Sequence, residues 1–387
     1  MIILSADQKK ALNILLTWFK KDRKITQFIS LGGYAGTGKT TLIAILRGEL
    51  AKIDKDLKVA FVSYTGKAAR VLKHKLTDQN VVLPKDSVST IHSLIYSPIV
   101  NDKEEIIGWQ TKDEIECNLI IIDEASMVDE IIWHHLLAYR VPIIVVGDHG
   151  QLPPIKGSFN LMQEPRLKLE EIHRQARDNP IINLSIQARK NGVIEPGIYS
   201  SSVKKFAKDD LDGQDNLHEM LSNFKEETLI LCGYNSTRRK LNNYIRQALG
   251  FESPIPQHGD RVICLRNNHT ANIFNGMIGT IVHLRKKDSS WYTAEIAMDG
   301  EVENYQGLIS IEQFNSETPL NFTESRSTIM QGDLFDFGYA LTVHKAQGSQ
   351  AKKVILFEER FRQMDEDNWK RWLYTAVTRA EEELYIF

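Results

Sequence analysis

Ten residues near the amino terminus constrain the fold more than any other part of the sequence. They read GGYAGTGKTT, from Gly32 to Thr41, and contain four glycines, one lysine and three threonines. Glycine weakens both helices and strands, yet the stretch lies between a short apolar strand, ITQFISL, and an apolar helical run, TLIAILRGELAKI. A strand, a glycine-rich turn and a helix in this order predict a phosphate-binding loop.

The loop fits the pattern G-x-x-x-x-G-K-[ST], with Gly33, Gly38, Lys39 and Thr40 at the defined positions. Its glycines let backbone N–H groups approach phosphates without Cβ clashes, and the helix start adds partial positive charge. We expect Lys39 to reach the β- and γ-phosphates of ATP and Thr40 to ligate Mg²⁺. The remaining predicted ATP contacts in the loop are Gly36, Thr37 and Thr41. The flanking strand and helix argue against a glycine-rich connection without a ligand.

A phosphate-binding loop of this kind needs an acidic partner on a neighbouring strand. The segment LIIIDEAS supplies one, because Asp123 ends an apolar strand and Glu124 follows it. Asp123 is the predicted second Mg²⁺ ligand, and Glu124 could polarise the attacking water. Two carboxylates at the end of a buried strand repel each other, and a bound cation relieves that repulsion. Carboxylates also end strands because they are solvated there, so the interpretation depends on the loop beside them.

Strands and helices alternate along most of the chain. A first helix is predicted from Gln8, with Asp7 as its N-cap. Apolar strands are predicted at 58–64, 118–123, 141–148 and 228–235. Strands that are apolar on both faces and alternate with helices indicate a parallel sheet covered on both sides. Between about residues 255 and 330, short strands with Gly and Asp-Gly turns predict a small antiparallel barrel, after which the α/β pattern returns.

Charge, cysteine spacing and apolar runs give no indication of a disulfide-rich, zinc-binding, secreted or membrane-spanning protein. The formal net charge of -2 gives no sign of a nucleic-acid partner, so such a partner would need a local basic channel. The three cysteines lie far apart without a CxxC, which makes disulfides and zinc fingers unexpected and fits a reducing cytoplasm. We identify no secretion signal and no apolar run long enough for a membrane span. His134 and His135 are neighbours in a predicted helix, point apart, and are not expected to hold a metal.

Six further segments have the order and spacing of a known set of motifs. They are SYTGKAAR, STIHSL, VVGDHGQLPPI, EIHRQ, LTVHKAQGSQ and YTAVTRA. With the phosphate loop and LIIIDEAS, this set resembles the superfamily 1B DNA helicases of the RecD/Dda type. The resemblance extends from Gln8 to Arg379, nearly the whole chain. The last two segments are highly specific as a pair and are absent from P-loop kinases.

The resemblance implies two RecA-like cores with ATP between them. Gln8 would contact adenine, Gln151 would sense the γ-phosphate, and Gln347 with Gly348 would link ATP to DNA. An arginine always carries charge and can stabilise the charge of a phosphoryl transition state. The implied catalytic residues are Lys39, Asp123, Glu124, Gln151, Arg174 and Arg379, with both arginines in the second core. The alternatives stay open: a helix-start glutamine at Gln8, and a surface salt bridge at either arginine.

Nucleic-acid contacts are predicted at several helix starts and loops. Between Leu57 and Thr77 there are five basic side chains and no Asp or Glu. At the helix start there, Thr65 and Lys67 could bind a DNA phosphate. The resemblance also implies DNA contacts at Thr90, His92, Thr342, His344 and Lys345. A solvated basic face remains the alternative for the helix, and side-chain packing remains the alternative for His92.

Two insertions complete the predicted architecture. In the family, a β-hairpin at 96–112 acts as a wedge at the duplex fork, and Pro98 and Trp109 are candidate base contacts. Trp109 could equally pack the hairpin base. The predicted bounds are 1–95 and 113–167 for the first core, 168–254 and 331–387 for the second, and 255–330 for an SH3-like barrel. The fold class is therefore α/β: two RecA-like P-loop cores on parallel sheets, with a hairpin inserted in the first and the barrel in the second.

The function that the sequence predicts is an ATP-dependent DNA helicase that uses Mg²⁺ and acts as a cytoplasmic monomer. Family resemblance alone implies 5′→3′ translocation on single-stranded DNA and action at single-strand/duplex junctions. One alternative is a DNA-dependent ATPase or remodeller that separates strands poorly. A second is a P-loop switch or kinase without nucleic acid, which the late motif pair disfavours. The sequence leaves open the pathway, the protein partners and the choice between DNA and RNA.

Overall fold

The chain forms two compact units in the computed structural model, Met1–Asn183 and Leu184–Phe387. The structure describes residues 4–79, 81–100, 106–154, 159–172, 178–268, 270–271, 273–314, 316, 320 and 331–387. Across these ranges no helix is both long and apolar enough to cross a bilayer.

The first unit contains five α-helices and eight strands in its described part. The helices are α1 (Ala6–Thr17), α2 (Lys39–Ile53), α3 (Gly66–Asp78), α4 (Ile91–Ile95) and α5 (Glu130–Ala138). The strands are β1 (Phe28–Gly33), β2 (Val59–Ser63), β3 (Ser87–Thr90), β4 (Tyr96–Val100), β5 (Ile106–Thr111), β6 (Leu119–Asp123), β7 (Ile143–Gly147) and β8 (Leu167–Leu169). A π-helical turn, Trp18–Asp22, extends α1, and a 3-10 turn, Ala125–Met127, follows β6.

Six of these strands form one parallel sheet in the order β3-β2-β6-β7-β1-β8. Successive residues of its central strands enter two different hydrophobic clusters: Phe61 and Ile121 enter one, and Val62 and Ile122 the other. Both faces are therefore covered, as the doubly apolar strands predicted. In the register, Ser63 of β2 lies opposite Thr90 of β3 and Asp123 of β6, which aligns the carboxyl ends of the three strands.

The first helix is capped differently from the prediction. Ser5, not Asp7, is the N-cap: the Ser5 hydroxyl accepts from the Gln8 N–H, and Gln8 Oε1 accepts from the Ser5 N–H at 3.0 Å. This reciprocal pair is a capping box, so the expectation for Asp7 was wrong. Asp7 lies in the first turn, where its Oδ2 accepts the Glu170 N–H at 2.9 Å.

The second unit contains two sheets with different strand directions. Helix α6 (Pro180–Asn191) begins in the first unit and continues into the second. The other described helices of the second unit are α7 (Leu211–Ser222), α8 (Asn235–Ala248) and α9 (Glu366–Val377). Its strands are β9 (Gly197–Ser200), β10 (Val203–Lys205), β11 (Thr228–Cys232), β12 (Arg261–Cys264), β13 (Ile278–Lys286), β14 (Trp291–Met298), β15 (Tyr305–Ser310), β16 (Phe335–Phe337), β17 (Ala340–Thr342), β18 (Ala351–Leu356) and β19 (Ala380–Ile386).

One sheet of this unit has the order β17-β11-β18-β19-β10-β9 and is parallel except for the β9–β10 pair. The other has the order β15-β14-β13-β12-β16 and is antiparallel throughout. The α/β class with parallel sheets is thus confirmed, and the short strands beyond residue 255 do form an antiparallel sheet. Its SH3-like character and the domain bounds stay predictions. Strand β8 pairs with β1 in the first sheet and ends two residues beyond the predicted bound at 167.

Candidate functional site

The predicted phosphate loop joins the end of β1 to the start of α2. Gly36 and Gly38 have φ angles of 78° and 74°, a left-handed conformation that favours glycine. At Gly33 a Cβ atom would lie 2.6 Å from Thr37 Oγ1 and 3.0 Å from Lys39 Cγ. The glycines are therefore required by the backbone path and by the close approach of the loop to itself.

Lys39 folds over the loop that precedes it. Its Nζ donates to the carbonyl oxygens of Gly33 at 2.7 Å and Tyr34 at 3.1 Å. Thr40 and Thr41 follow in the first turn of α2 and are half-buried. The lysine charge thus lies where the loop surrounds a phosphate group in proteins of this motif.

Gln8 connects the start of α1 to the same loop. It is fully buried, and its Nε2 donates to the Thr37 carbonyl at 3.0 Å while its Oε1 completes the capping box with Ser5. These bonds place Gln8 beside the phosphate loop, as the motif order predicted. The predicted contact between Gln8 and adenine stays a prediction.

Asp123 ends β6 in a half-buried and electrostatically unusual position. Burial, and next the neighbouring Glu124 carboxylate, raise the pKa of Asp123 to about 6, while the Lys39 ammonium acts in the opposite direction. Glu124 has a φ angle of 54°, which is uncommon for a residue with a side chain and typical of functional sites. The charges of Lys39 and Glu124 thus act in opposite directions on the pKa of Asp123, and the catalytic roles of the three residues stay predictions.

The two predicted Mg²⁺ ligands, the Thr40 hydroxyl and the Asp123 carboxylate, are oxygen donors that fit a Mg²⁺ ion. Mg²⁺ prefers carboxylate and hydroxyl oxygens and usually takes only one or two protein ligands, the rest coming from water and phosphates. Asp123 is a carboxylate whose charge is disfavoured by burial and by Glu124.

In the described ranges, no three His, Cys, Asp or Glu side chains cluster as a metal site. His134 and His135 have other contacts: His134 lies 3.9 Å from Glu130, and His135 Nδ1 is 2.6 Å from the Tyr96 hydroxyl.

The segment after β7 lies against the phosphate loop. Asp148 is 1% exposed, and its Oδ1 accepts the Gly150 N–H at 2.9 Å, which fixes the turn that carries Gln151. The ring of His149 lies 4.1 Å from the ring of Tyr34, centroid to centroid. Gln151 is buried at 5% exposure. Sequence reasoning predicted Gln151 here and missed the contact between His149 and Tyr34, for which we find no sequence signal.

Four of the predicted DNA contacts of the first unit lie at or just after the carboxyl ends of β2 and β3: Thr65, Lys67, Thr90 and His92. The Thr65 hydroxyl caps α3 by accepting the Ala68 N–H at 3.2 Å, and Lys67 lies in the first turn of that helix. The Thr90 hydroxyl caps α4 in the same way. His92 lies between two rings, with centroids 5.9 Å from Tyr64 and 5.5 Å from Tyr96. Packing thus accounts for part of the His92 environment, while DNA contact stays a prediction.

Strands β4 and β5 form the predicted hairpin. Pro98 lies opposite Trp109 in its register, and Trp109 is 38% exposed. The Tyr139 hydroxyl holds the base of the hairpin to the core. It lies 2.9 Å from the Ile95 carbonyl oxygen and 2.8 Å from the Lys112 carbonyl oxygen. Residues 101–105 between the strands lie outside the described ranges.

In the second unit, Arg379 is buried beside the loop that contains Gln347 and Gly348. It is 3% exposed, and its guanidinium donates to the Thr375 carbonyl at 3.0 Å, the Ser349 carbonyl at 3.1 Å and the Thr378 hydroxyl at 3.3 Å. Each of these acceptors is neutral, so the bonds orient the arginine without cancelling its charge. A surface salt bridge, the alternative for this residue, does not fit its burial. Arg174 lies outside the described ranges.

The end of β17 carries three predicted DNA contacts. Thr342 is the last residue of the strand, and His344 and Lys345 lie in the turn that follows it. Thr342 is 7% exposed, and burial lowers the pKa of His344. The pKa of Lys345 is lowered to about 8, mainly by burial and then by Arg238, against the opposing effect of Asp336. Gly348 has a φ angle of 74°, so the loop after Lys345 makes a turn that favours glycine.

Together these features define a P-loop nucleotide-binding unit followed by a second unit with a largely parallel sheet. Residues 22–156 match the model of an AAA domain, and residues 337–387 match that of the UvrD-like helicase C-terminal domain. The chain is 25% identical to the RecBCD enzyme subunit RecD of Buchnera aphidicola, over 98% of this chain and 75% of the relative. It is 28% identical to the ATP-dependent RecD2 DNA helicase of Deinococcus radiodurans, over 93% of this chain but only 46% of the relative.

Solved structures agree with this fold. The Bacteroides Pif1 helicase in complex with ADP-AlF3 and ssDNA superposes with a TM-score of 0.55 at 18% identity, over 100% of this chain and 92% of that chain. The two domain matches and the RecD and RecD2 relatives support a superfamily 1B helicase of the RecD/Pif1 type, and the Pif1 structure supports the fold.

Proposed function

We propose that the protein is an ATP-dependent DNA helicase that moves 5′→3′ along single-stranded DNA and separates duplex. The observation that carries the proposal is the phosphate loop with Lys39 folded over it, together with Asp123, the half-buried carboxylate at the end of β6. Burial and Glu124 raise the pKa of Asp123, and the Lys39 ammonium acts to lower it. The RecD2 relative is named an ATP-dependent DNA helicase, which supports the reaction, although this chain spans 46% of its length. The direction of movement rests on family resemblance.

The proposed chemistry is hydrolysis of ATP at the first unit. Lys39 and the loop amides bind the phosphates, Thr40 and Asp123 hold Mg²⁺, and Glu124 orients and polarises the attacking water. Bound Mg²⁺ would neutralise charge that develops on the phosphate oxygens. Gln8 is proposed to contact adenine in addition to holding the Thr37 carbonyl. ATP use is supported by the Bacteroides Pif1 structure, which contains ADP-AlF3.

Three further residues are proposed to respond to the γ-phosphate. Gln151 would sense it, and Arg174 and Arg379 would stabilise the charge that spreads over the transferring phosphoryl group. The burial of Arg379 and its neutral hydrogen-bond acceptors support this role, since a guanidinium already paired with a carboxylate would offer less charge. Gln347 and Gly348, next to the Ser349 carbonyl that Arg379 contacts, would link nucleotide state to DNA.

Single-stranded DNA and its junctions with duplex are the proposed partners. The solved Bacteroides Pif1 structures include one bound to ssDNA, which supports binding of this class. The proposed contacts are Thr65, Lys67, Thr90, His92, Pro98, Trp109, Thr342, His344 and Lys345. Action as a monomer in the cytoplasm, and the predicted domain bounds with an SH3-like module, are part of the same proposal.

Unwinding of tailed duplexes tests the proposal. We expect Mg-ATP to drive separation of a duplex with a 5′ single-stranded tail and not of one with a 3′ tail or blunt ends. Lys39→Ala is the matched negative control. Efficient separation only from a 3′ tail would contradict the polarity. DNA-stimulated ATP hydrolysis without separation would replace the helicase with a translocase or remodeller.

A further inference from the structure

Helix α5 contacts the hairpin of β4 and β5 through two side chains. His135 lies in the last turn of the helix and Tyr139 is its C-cap residue, four positions further on, a spacing that places both on one side. His135 Nδ1 lies 2.6 Å from the Tyr96 hydroxyl, and the two rings meet edge to face with centroids 5.7 Å apart. Tyr96 is the first residue of β4, so His135 contacts the hairpin where its first strand begins.

Tyr139 contacts both ends of the hairpin at once. Its hydroxyl lies 2.9 Å from the Ile95 carbonyl oxygen and 2.8 Å from the Lys112 carbonyl oxygen. Ile95 immediately precedes β4 and Lys112 immediately follows β5, and the Lys112 N–H donates to the Ile95 carbonyl at 2.9 Å. One phenol therefore closes the base of the hairpin at the point where both strands leave the core.

Helix α5 is itself fixed to the first sheet. Ile132 and Leu136 are 5% and 0% exposed and pack in the same cluster as Ile122 of β6. The Asp129 carboxylate caps the helix by accepting the Ile132 N–H at 2.9 Å. Only the 3-10 turn and one further residue separate this cap from Glu124. The hairpin is thus attached to the element that directly follows the carboxylates at the end of β6.

The hairpin carries an exposed aromatic side chain. Trp109 is 38% exposed and lies opposite Pro98 in the register of β4 and β5. An exposed indole can stack on a base of any sequence. A two-stranded hairpin is only marginally stable by itself in water. The direction in which Trp109 is presented therefore depends on the contacts at the hairpin base.

We propose that His135 and Tyr139 are positioning residues for strand separation. They hold the hairpin on α5, so that Trp109 meets the bases at a single-strand/duplex junction in one orientation. The inference rests on the proposed function, because it takes Trp109 as a DNA contact. Both residues act through the hairpin and are not assigned to the ATP site. Loss of their contacts should therefore affect duplex separation more than ATP hydrolysis.

The experiment measures how many base pairs the full chain separates per ATP hydrolysed, on a duplex with a 5′ single-stranded tail. Tyr96→Phe and Tyr139→Phe each remove one hydroxyl and keep the ring, so the packing is retained. Each should lower the number by about fivefold, which corresponds to the net stabilisation from one hydrogen bond. The ATP hydrolysis rate on an oligodeoxythymidylate, which has no duplex to separate, should stay at the wild-type value.

Three further variants distinguish positioning from a general effect on stability. His135→Ala should match Tyr96→Phe, and the double variant should lose no more than either, because both remove the same contact. With Trp109→Ala as the background, Tyr139→Phe should cause no further loss, because the side chain that it positions is absent. His134→Ala removes the neighbouring histidine, whose side chain is 68% exposed, and should leave the base pairs separated per ATP unchanged.

An unchanged number of base pairs per ATP in either phenylalanine variant would overturn the inference. So would equal losses with and without Trp109, or a fall in ATP hydrolysis as large as the fall in duplex separation. Should His135→Ala fail to fold, the two phenylalanine variants decide, since each removes a single oxygen atom. Wild-type protein whose ATP hydrolysis is stimulated by DNA but which separates no tailed duplex would instead overturn the proposed function.

Discussion

Charges that are held in place by neutral groups characterise the candidate site at the scale of single residues. Lys39 donates to two carbonyl oxygens, and Arg379 donates to two carbonyls and a hydroxyl. Such acceptors orient a cation while leaving its charge uncompensated, as stabilisation of a phosphoryl transition state requires. Asp123 is the acidic counterpart, with burial and Glu124 raising its pKa.

Lys39→Ala should reduce ATP turnover at least about 10²-fold, because the loop loses the donor aimed at the β- and γ-phosphates. DNA affinity should survive, since the predicted DNA contacts lie elsewhere. Steady-state ATPase assays and oligonucleotide binding on the same preparation measure the two effects. Lys52→Ala, at an exposed lysine in the last turn of α2, is the control and should change neither. Normal turnover in Lys39→Ala would refute the assignment of the site.

Arg379→Ala should keep ATP affinity and lose hydrolysis by about 10³-fold or more, because the arginine is assigned to the transition state. Titration with a fluorescent ATP analogue gives the affinity, and single-turnover hydrolysis gives the rate. Arg362→Ala, at an exposed arginine of the same unit, is the matched control. An Arg379→Ala protein that lost affinity and kept its turnover would show that the residue is misassigned.

Much of the residue-level site follows from local sequence. The pattern of Gly33, Gly38, Lys39 and Thr40 predicts a loop whose geometry the backbone requires, because left-handed φ angles and close approaches are local properties. The contact between His149 and Tyr34 could not be predicted. It arises where β7 lies beside β1 in the sheet, and strand order is not encoded at either residue.

At the scale of elements, the parallel strands align their carboxyl ends, and the helix starts that follow them carry predicted DNA contacts. The parallel register places Thr90, Ser63 and Asp123 at one edge of the first sheet. Thr65 and Thr90 cap the helices that leave this edge. The apolar strands predicted a parallel sheet covered on both sides, because a strand buried on both faces must be covered by helices, but they did not predict the register.

Two features of the helices were not anticipated. The capping box of α1 follows from Ser5 and Gln8, a spacing that the sequence contains but that the choice of Asp7 overlooked. In α8, Arg238, Asn242 and Arg246 would ordinarily be assigned to the solvent face. Their partners come from other segments, such as Asp336, 98 residues from Arg238, so burial of this face cannot be inferred locally.

Ser5→Ala tests the cap of α1. It should lower the free energy of local opening of the first turn by about 1 kcal/mol, because the Gln8 N–H loses its hydroxyl acceptor. Native-state amide hydrogen exchange measures this opening directly. Ser5→Thr retains a hydroxyl that can cap and is the matched control. Unchanged exchange at Gln8 in Ser5→Ala would show that Asp7, whose Oδ1 is 2.7 Å from the same N–H, is sufficient alone.

At the scale of the whole molecule, one chain carries a nucleotide loop in its first unit and a buried arginine with predicted DNA contacts in its second. The proposed function requires the two activities to depend on each other. A ligand shifts a conformational equilibrium only as far as it binds the two states differently. The proposed function therefore predicts that DNA changes the rate at which ATP is hydrolysed.

The most direct test of this account is the ATP hydrolysis rate of the wild-type protein with and without single-stranded DNA, at saturating Mg-ATP. The account predicts strong stimulation by DNA, which saturates at the concentration where binding saturates and is absent in Lys39→Ala. A hydrolysis rate that saturating DNA leaves unchanged would contradict it, because the nucleotide site would then act without reference to nucleic acid.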